Sequence, residues 1–283
     1  MAVQNSLAKK PNQRLGITAY LTNDAVKNQI NNVIGGKNGS RFISSVVSAV
    51  NNNPALQECT NQSILSGALL GESLNLSPSP QLGQYYLVPF NDKNKGKVAQ
   101  FQLGYKGYIQ LAIRSGQYKK LNVLAIKEGE LIRFDPLNEE IEVHLIEDEE
   151  AREQAATIGY YAMFEYTNGF RKAIYWSKKK MEAHALKYSK GYQAKKGFTF
   201  WEKDFDAMAY KTMLRQLISK WGIMSIDMMS AMDADMTVIN EDGTKDYVDN
   251  ADEPDIIDME QPVSQEEKTE SSGNGAAAAL FGK

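Results

Sequence analysis

Lys211 and Arg215 lie four residues apart in the segment YKTMLRQLISKW, which spans Tyr210–Trp221. If this segment is a helix, both side chains leave the same face, because residues at this spacing are neighbours on a helix surface. An arginine and a lysine in register can hold consecutive phosphate groups, and the planar guanidinium can bind through two parallel hydrogen bonds. An amphipathic core helix with a solvated basic edge would show the same pattern. The sequence alone leaves both interpretations open.

Tyr105 and Lys106 stand between two glycines in the run LGYKGY, where a predicted strand passes into a predicted helix. Glycine at such a junction lets another part of the backbone approach closely. The amides at a helix N-terminus also favour a bound anion. Turns bracketed by glycine are common, so this run supports an anion site only together with other features.

The net charge of −3 conceals a strong segregation of the two signs along the chain. Residues 91–127 carry eight basic and one acidic residue, and residues 170–220 carry thirteen and four. Between these blocks, residues 128–169 carry two basic and twelve acidic residues. Two basic blocks can fold into a groove that attracts a polyanion, and aromatic faces among the lysines can stack on unpaired bases. The interleaved aromatics are Tyr105, Tyr108, Tyr118, Tyr188, Tyr192, Phe198, Phe200 and Trp201.

Residues that usually carry enzyme chemistry are scarce. With only His144, His184 and Cys59, the chain cannot supply a histidine–cysteine zinc site in any usual spacing. The two histidines are interpreted as a strand residue and an exposed helix residue. The sequence contains neither a phosphate-binding G-x-x-x-x-G-K-[ST] loop nor a dinucleotide-binding G-x-G-x-x-G after a strand. The acidic run Glu147–Glu150 is interpreted as a solvated turn, so no metal, cofactor or catalytic residue is predicted.

The sequence also predicts a cytoplasmic location. The first thirty residues contain no apolar segment of the length that a secretory signal needs. No apolar run approaches the roughly 20 residues that span a bilayer. A single cysteine, Cys59, suits a reducing compartment.

Hydrophobic periodicity and end signals predict the elements that position these residues. Helices are predicted at about Asn23–Val33, from Ser40 to Asn53-Pro54, at Asn61–Leu74, from Tyr105 to Gly116, at Ser177–Ser189, at Asp204–Trp221 and up to about Met232. Strands are predicted in QYYLVPF, VAQFQLG, KLNVLAI, LIRF, IEVHLI, IGYYAMFEY and FRKAIYW. The polar turn NDKNKGK and the Asn168-Gly169 pair favour hairpins. The predicted class is α+β, with a twisted, mainly antiparallel sheet packed on a long helix.

Composition divides the chain into three parts. Residues 1–35 are predicted to form a flexible arm, which is polar and ends at Gly35-Gly36. Residues 36–239 form the globular core. Residues 240–283 carry twelve acidic residues and two prolines, which is the composition of a disordered tail.

Three separate blocks resemble, in order, the RecT family of phage and prophage recombinases. These blocks are LNLSPSPQLGQYYLVPF, QFQLGYKGYIQLAIRSG and FWEKDFDAMAYKTMLRQLISKW, and the resemblance covers roughly residues 40–235. It implies a single-strand annealing fold of the Red beta/RecT kind and ATP-independent annealing of single-stranded DNA in homologous recombination. It also implies a homo-oligomer, as a ring or helical filament, that coats the DNA and holds an annealed duplex intermediate.

The resemblance further implies partners and site residues. Possible partners are a phage exonuclease and a host single-stranded DNA-binding protein, in the cytoplasm of a bacterial cell. Tyr105, Lys106, Lys211 and Arg215 are carried over as DNA-binding residues. Charge and position alone add Arg114, Lys119, Lys120, Lys187, Lys195, Lys196 and Phe198. The alternative function is that of a passive single-stranded nucleic-acid binding protein or RNA chaperone, which would bind strands without accelerating their pairing.

Overall fold

The computed structural model describes residues 15–92, 95–197, 199–240 and 242–247 of the 283-residue chain. Within this part, the helices are α1 (Ile17–Leu21), α2 (Asp24–Ile34), α3 (Gly36–Asn51), α4 (Asn61–Ser73), α5 (Tyr105–Arg114), α6 (Glu149–Gln154), α7 (Lys178–Tyr188), α8 (Lys190–Gln193), α9 (Phe200–Lys203), α10 (Phe205–Trp221) and α11 (Ile226–Ala234), with a 3₁₀ helix at Pro54–Glu58. The strands are β1 (Tyr85–Asp92), β2 (Gly96–Leu103), β3 (Tyr118–Lys127), β4 (Leu131–Asp135), β5 (Glu140–Val143), β6 (Thr157–Tyr166), β7 (Arg171–Ser177), β8 (Thr237–Ile239) and β9 (Lys245–Tyr247). The α+β class is confirmed.

The N-terminal helices begin where polar side chains cap them. Asn23 and Thr60 precede α2 and α4, and each accepts a hydrogen bond from a backbone N–H of the first turn. Leu21 and Ile30 are fully buried in the core. Residues 17–34 of the predicted flexible arm therefore form two helices with buried side chains, and residues 1–14 of that arm lie outside the described residues.

The predicted hairpin of β1 and β2 is confirmed, with Tyr85 opposite Leu103 in an antiparallel register. The sheet continues through β8 and β9 in the order β1-β2-β8-β9. A single register pair, Phe101 with Thr237, joins β2 to β8. These two short strands were not predicted. They depend on pairing across more than a hundred residues, and β9 lies in the range assigned to the acidic tail.

The strands β3, β6 and β7 form a second antiparallel sheet, and its two faces pack against different elements. Successive side chains of a strand point to opposite faces. On β6, Tyr160, Ala162 and Phe164 therefore join a core with α7, α9 and α10. Tyr161 and Met163 face the other way and contact residues of the β4–β5 hairpin. The sheet thus separates a helical layer from a hairpin layer.

The segment interpreted as a solvated acidic turn contains a short helix, α6. Asp148 caps it by accepting a hydrogen bond from the Ala151 backbone at 2.8 Å. Arg152 then reaches the fully buried carboxylate of Glu130, with its Nε 2.6 Å from Oε1. The hydrogen bonds from Arg152 and from backbone amides lower the pKa of Glu130 although burial opposes this shift. Glu130 is therefore a carboxylate, and its hydrogen bonds hold the connection between β3 and β4 in place.

Candidate nucleic-acid interface

The helix α10 starts close to the predicted position, after Asp204, whose Oδ1 accepts a hydrogen bond from the Ala207 amide at 3.0 Å and so caps the helix. Ala209, Met213 and Leu217 are fully buried, in agreement with the predicted packed side. The opposite side is not simply solvated. Lys211 is also buried, with 7% of its surface exposed, so the helix packs against protein on this side as well.

Asp235, at the end of α11, explains how a lysine can be buried here. Its carboxylate is fully buried and receives hydrogen bonds from Lys211 Nζ at 2.8 Å and Arg215 Nη1 at 2.9 Å. The backbone amide of Leu103 donates to the same carboxylate at 2.8 Å, and the Tyr108 hydroxyl lies 3.4 Å away. Two cations share one carboxylate, so the cluster keeps a net positive charge. We call Asp235, Lys211, Arg215 and Tyr108 the Asp235 cluster.

Lys211 and Arg215 differ in how much of their side chains is exposed. The Lys211 side chain is 9% exposed and the Arg215 side chain 27% exposed. Burial lowers the pKa of Lys211, and the neighbouring Asp235 carboxylate opposes that change. Burial raises the pKa of the Tyr108 hydroxyl, which therefore stays protonated and can donate a hydrogen bond. Arg215 is therefore the member of the cluster that reaches the surface, and Lys211 holds the buried carboxylate.

The predicted Tyr105–Lys106 turn packs beside α10. A Cβ added to Gly104 would lie 2.1 Å from the Gly83 carbonyl oxygen, and one added to Gly107 would lie 2.2 Å from that of Gln84. The close backbone approach inferred for these glycines is thus confirmed. Lys106 is exposed at the first turn of α5, where the helix macrodipole is positive.

Aromatic side chains surround this turn. The Tyr105 ring meets that of Tyr210 on α10 edge to face, with centroids 5.6 Å apart. The Tyr86 ring lies 5.7 Å from that of Phe200 on α9. The pKa of Tyr86 is raised mainly by burial, and the nearby Tyr105 and Asp204 raise it further through electrostatic repulsion. We call Tyr86, Tyr105, Phe200 and Tyr210 the aromatic cluster. Partly exposed rings beside a lysine suit stacking on unpaired bases.

Positive charges also meet around His184 of α7, which sequence reasoning had placed on an exposed face. Its ring contacts those of Trp176, Tyr188 and Trp201, at centroid distances of 5.5, 4.6 and 6.5 Å. Burial lowers the pKa of His184 to about 4, and Lys187, Arg215 and Lys180 contribute in the same direction. Two candidate residues, Lys187 and Arg215, therefore act electrostatically on one histidine.

His184 makes stability depend on pH. Its pKa is lower in the folded chain, at about 4, than the usual 6.5, so acid protonates the unfolded chain first. The free energy of unfolding is expected to fall by about 1–2 kcal/mol from this group as the pH drops from about 6.5 to 5. Urea unfolding at both pH values should show that the loss is smaller in His184→Phe. An equal loss in both proteins would contradict a neutral, partly buried His184.

The remaining candidates have other surroundings. Arg114 donates from Nη1 to the Leu74 carbonyl at 2.8 Å and so ties α5 to the end of α4. Lys119 and Lys120 on β3 are both paired with Glu165, at 2.6 and 3.5 Å. Lys195 and Lys196 are exposed after α8. Phe198 lies outside the described residues. Tyr105 thus contacts α10, which carries Lys211 and Arg215, and Lys187 and Arg215 both lie near His184. DNA contact by any of the eleven candidates stays a prediction.

Sequence reasoning missed Asp235, Tyr86 and Tyr210. Tyr86 had a signal, because the alternation in QYYLVPF places it on the opposite face from buried Tyr85. Tyr210 directly precedes Lys211, but nothing marked it as a neighbour of Tyr105. Asp235 had no local signal, since its partners lie 20 to 132 residues away along the chain.

Within the described residues, no three histidine, cysteine, aspartate or glutamate side chains are grouped so that they could hold a metal ion. Of the helices in that same part of the chain, none is long and apolar enough to cross a membrane.

Comparison with known sequences confirms the resemblance. The sequence model of the RecT family matches residues 40–254. The chain is 42% identical over 275 residues to the uncharacterized protein YqaK of Bacillus subtilis (strain 168), which covers 94% of this chain and 89% of that protein. It is 31% identical over 199 residues to protein RecT of Escherichia coli (strain K12), which covers 69% of this chain and 70% of that protein. The chain belongs to the RecT family. This membership supports a general role in DNA recombination, through single-stranded DNA binding and strand annealing.

Proposed function

We propose that this protein anneals complementary DNA strands without ATP, as an oligomer that coats single-stranded DNA. The observation that carries the proposal is the partly exposed side chain of Arg215 on α10, the helix that also carries Tyr210 of the aromatic cluster. The buried Asp235 carboxylate holds the Arg215 guanidinium in place. Membership of the RecT family supports the proposal. The proposal includes no catalytic residue, because strand pairing needs no covalent step.

In the proposed mechanism, phosphates of the first strand lie along a groove to which Arg215 and Lys106 contribute. Arginine and lysine can form charge-assisted hydrogen bonds with phosphate oxygens. Helical spacing predicts that Lys211 touches phosphates as well. Its burial against Asp235 supports a different role, in which it balances the carboxylate and lets Asp235 orient Arg215. Lys187 would extend the positive surface on α7.

The bases of the bound strand must remain accessible to a second strand. Stacking on one or two rings of the aromatic cluster would order the bases while leaving their pairing edges open. Base pairing then supplies the specificity and part of the driving force, so no nucleotide cofactor is required. Neighbouring subunits continue the groove, and affinity grows with strand length.

The groove predicts a defined response to salt. Each phosphate contact neutralised on a single strand contributes about −0.7 to the slope of log K against log salt concentration. Replacement of Arg215 with glutamine is expected to make this slope less steep by about 0.7. Fluorescence anisotropy of a labelled oligonucleotide at several salt concentrations measures both slopes. A wild-type affinity that does not respond to salt would contradict the groove.

The rival function is passive binding of single-stranded nucleic acid. The Arg215 side chain and the aromatic cluster suit that function equally well. The two functions differ in the rate of pairing: an annealing protein speeds the pairing of complementary strands, whereas a passive binder leaves the rate unchanged or slows it by covering the bases.

Three further expectations belong to this proposal. The protein would act in the cytoplasm of a bacterial cell, beside a phage exonuclease that exposes single strands. The acidic residues in 240–283 would compete with DNA for the groove, recruit a single-stranded DNA-binding protein of the host, or keep the protein soluble. Because β9 pairs with β8, a truncation that tests the tail should start after Asp249 rather than at residue 240.

A further inference from the structure

The acidic β4–β5 hairpin and the basic helix α7 lie on opposite faces of the β3-β6-β7 sheet. On one face, the β4–β5 hairpin packs through Leu131, Ile141 and Val143. On the other face, α7 packs through Met181 and Ala185. Since the sheet stands between them, the hairpin and α7 of one chain cannot pair with each other.

The outer side of the hairpin is acidic with apolar residues in its midst. Ile141 and Val143 face the sheet, so Glu140 and Glu142 point outward by strand alternation. Ile132 is 60% exposed and Leu137, at the turn, 88% exposed. The turn is ordered, because the amide of Leu137 donates to Asp135 Oδ1 at 2.9 Å. We call this the acidic surface; its exposed carboxylates are those of Glu140 and Glu142, and Glu140 pairs with the exposed Arg133 of the same hairpin at 3.1 Å.

The outer side of α7 has the complementary composition. Lys179, Ala183 and Lys187 recur at helical spacing on the exposed stripe. Leu186 is 47% exposed and Tyr188 37% exposed among these lysines. We call this the basic surface; its exposed lysines outside the DNA-binding candidates are Lys179, Lys180 and Lys190. Both surfaces therefore combine exposed apolar side chains with charge, as the core and rim of a protein interface do.

We infer that the acidic surface of one copy of this chain docks on the basic surface of a second copy. The two surfaces are complementary in charge, and one chain cannot bring its own two surfaces together. The contact joins unlike surfaces, so each added copy leaves both surfaces available at the two ends. Such a contact builds a ring when the rotation closes and a filament when it does not. The inference deepens the proposed function, since it names the contact that would build the proposed oligomer.

Charge reversal on each surface tests the pairing. One variant carries Glu140→Lys and Glu142→Lys, and the other carries Lys179→Glu and Lys190→Glu. All four residues are exposed, and none is among the DNA-binding candidates. In each variant alone, the two substituted residues would face residues of the same charge at every contact. In an equimolar mixture, however, every contact between unlike variants again joins opposite charges. Thermal unfolding checks that both variants fold.

Sedimentation velocity at modest salt, with and without a long oligonucleotide, measures assembly. The inference predicts that each variant alone loses most of the large assemblies and that the mixture regains them. It is overturned if both variants assemble as the wild type does, or if the mixture fails to recover. Normal annealing in that case would leave the proposed function intact. Loss of DNA binding without loss of assembly in the lysine variant would instead assign α7 to DNA.

A wild-type chain that stays monomeric with and without DNA would overturn the inference together with the proposed oligomer. It would leave annealing itself to be judged separately by the rate of strand pairing.

Discussion

Replacement of Asp235 with alanine is expected to lower the free energy of unfolding by about 3–5 kcal/mol. The change removes the carboxylate that pairs with Lys211, whose side chain is only 9% exposed, and leaves a buried cation without its partner. It also removes the acceptor of the Leu103 amide and so loosens the junction of β2, α10 and α11. Urea unfolding followed by circular dichroism measures the loss.

A neighbouring aspartate supplies the control. The Asp233 side chain is 65% exposed and pairs with Lys245 at the surface. Its replacement with alanine should cost less than about 1 kcal/mol, because exposed ion pairs contribute little. Equal losses for Asp233→Ala and Asp235→Ala would contradict the special role of the Asp235 cluster.

A double-mutant cycle separates the ion pair from general packing. In the wild type, Lys211→Met removes the nearest cation from a fully buried carboxylate; in Asp235→Asn, the same substitution removes it from a neutral amide. Lys211→Met should therefore lower the free energy of unfolding less in the Asp235→Asn background, with an interaction energy of about 0.5–3 kcal/mol. Additive costs would mean that the two side chains do not stabilise each other.

Replacement of Arg215 with glutamine is expected to weaken the binding of single-stranded DNA by about ten- to hundredfold. A hydrogen bond to a charged group contributes about 1.5–3 kcal/mol, and each 1.4 kcal/mol changes an equilibrium constant tenfold. Glutamine is chosen because its amide can still donate to Asp235, which limits the damage to the fold. Anisotropy titration of a labelled oligonucleotide gives the two dissociation constants.

The matched control is Arg41→Gln on α3, where the Arg41 side chain is 76% exposed and 4.0 Å from Glu72. It removes one positive charge from a surface that has no part in the proposed groove. Its affinity for DNA should stay within about twofold of the wild type, on the order expected for a distant exposed charge. If both variants lose affinity equally, the effect is one of net charge and Arg215 is not a phosphate contact.

Local patterns predicted most of the elements of this fold. The boundaries of α7 and α10 and the two hairpins all depend on residues close together in the chain. Strands β8 and β9 could not be predicted in the same way. They are three residues long, and β8 exists because Thr237 pairs with Phe101 far away in the sequence.

The candidate site shows the same limit more sharply. Helical spacing placed Lys211 and Arg215 on one face of α10, and the structure confirms that they share a partner. Spacing could not predict that this partner would be Asp235, or that one cation would be buried and the other partly exposed. The burial of a side chain depends on what packs against the helix. Here α5, β2 and α11 pack against α10, although α5 and β2 are far from it in the sequence and α11 follows it after a loop.

The measurement that tests the central claim most directly is the rate at which two complementary fluorescent oligonucleotides anneal at modest salt without ATP. The wild type, Arg41→Gln and Arg215→Gln are compared at equal protein concentration, after each is shown to be folded. The account predicts strong acceleration by the first two and little by Arg215→Gln. Binding by the wild type without acceleration would contradict annealing and favour a passive binder. Equal acceleration by Arg215→Gln would place the groove elsewhere, and a requirement for ATP would contradict the mechanism.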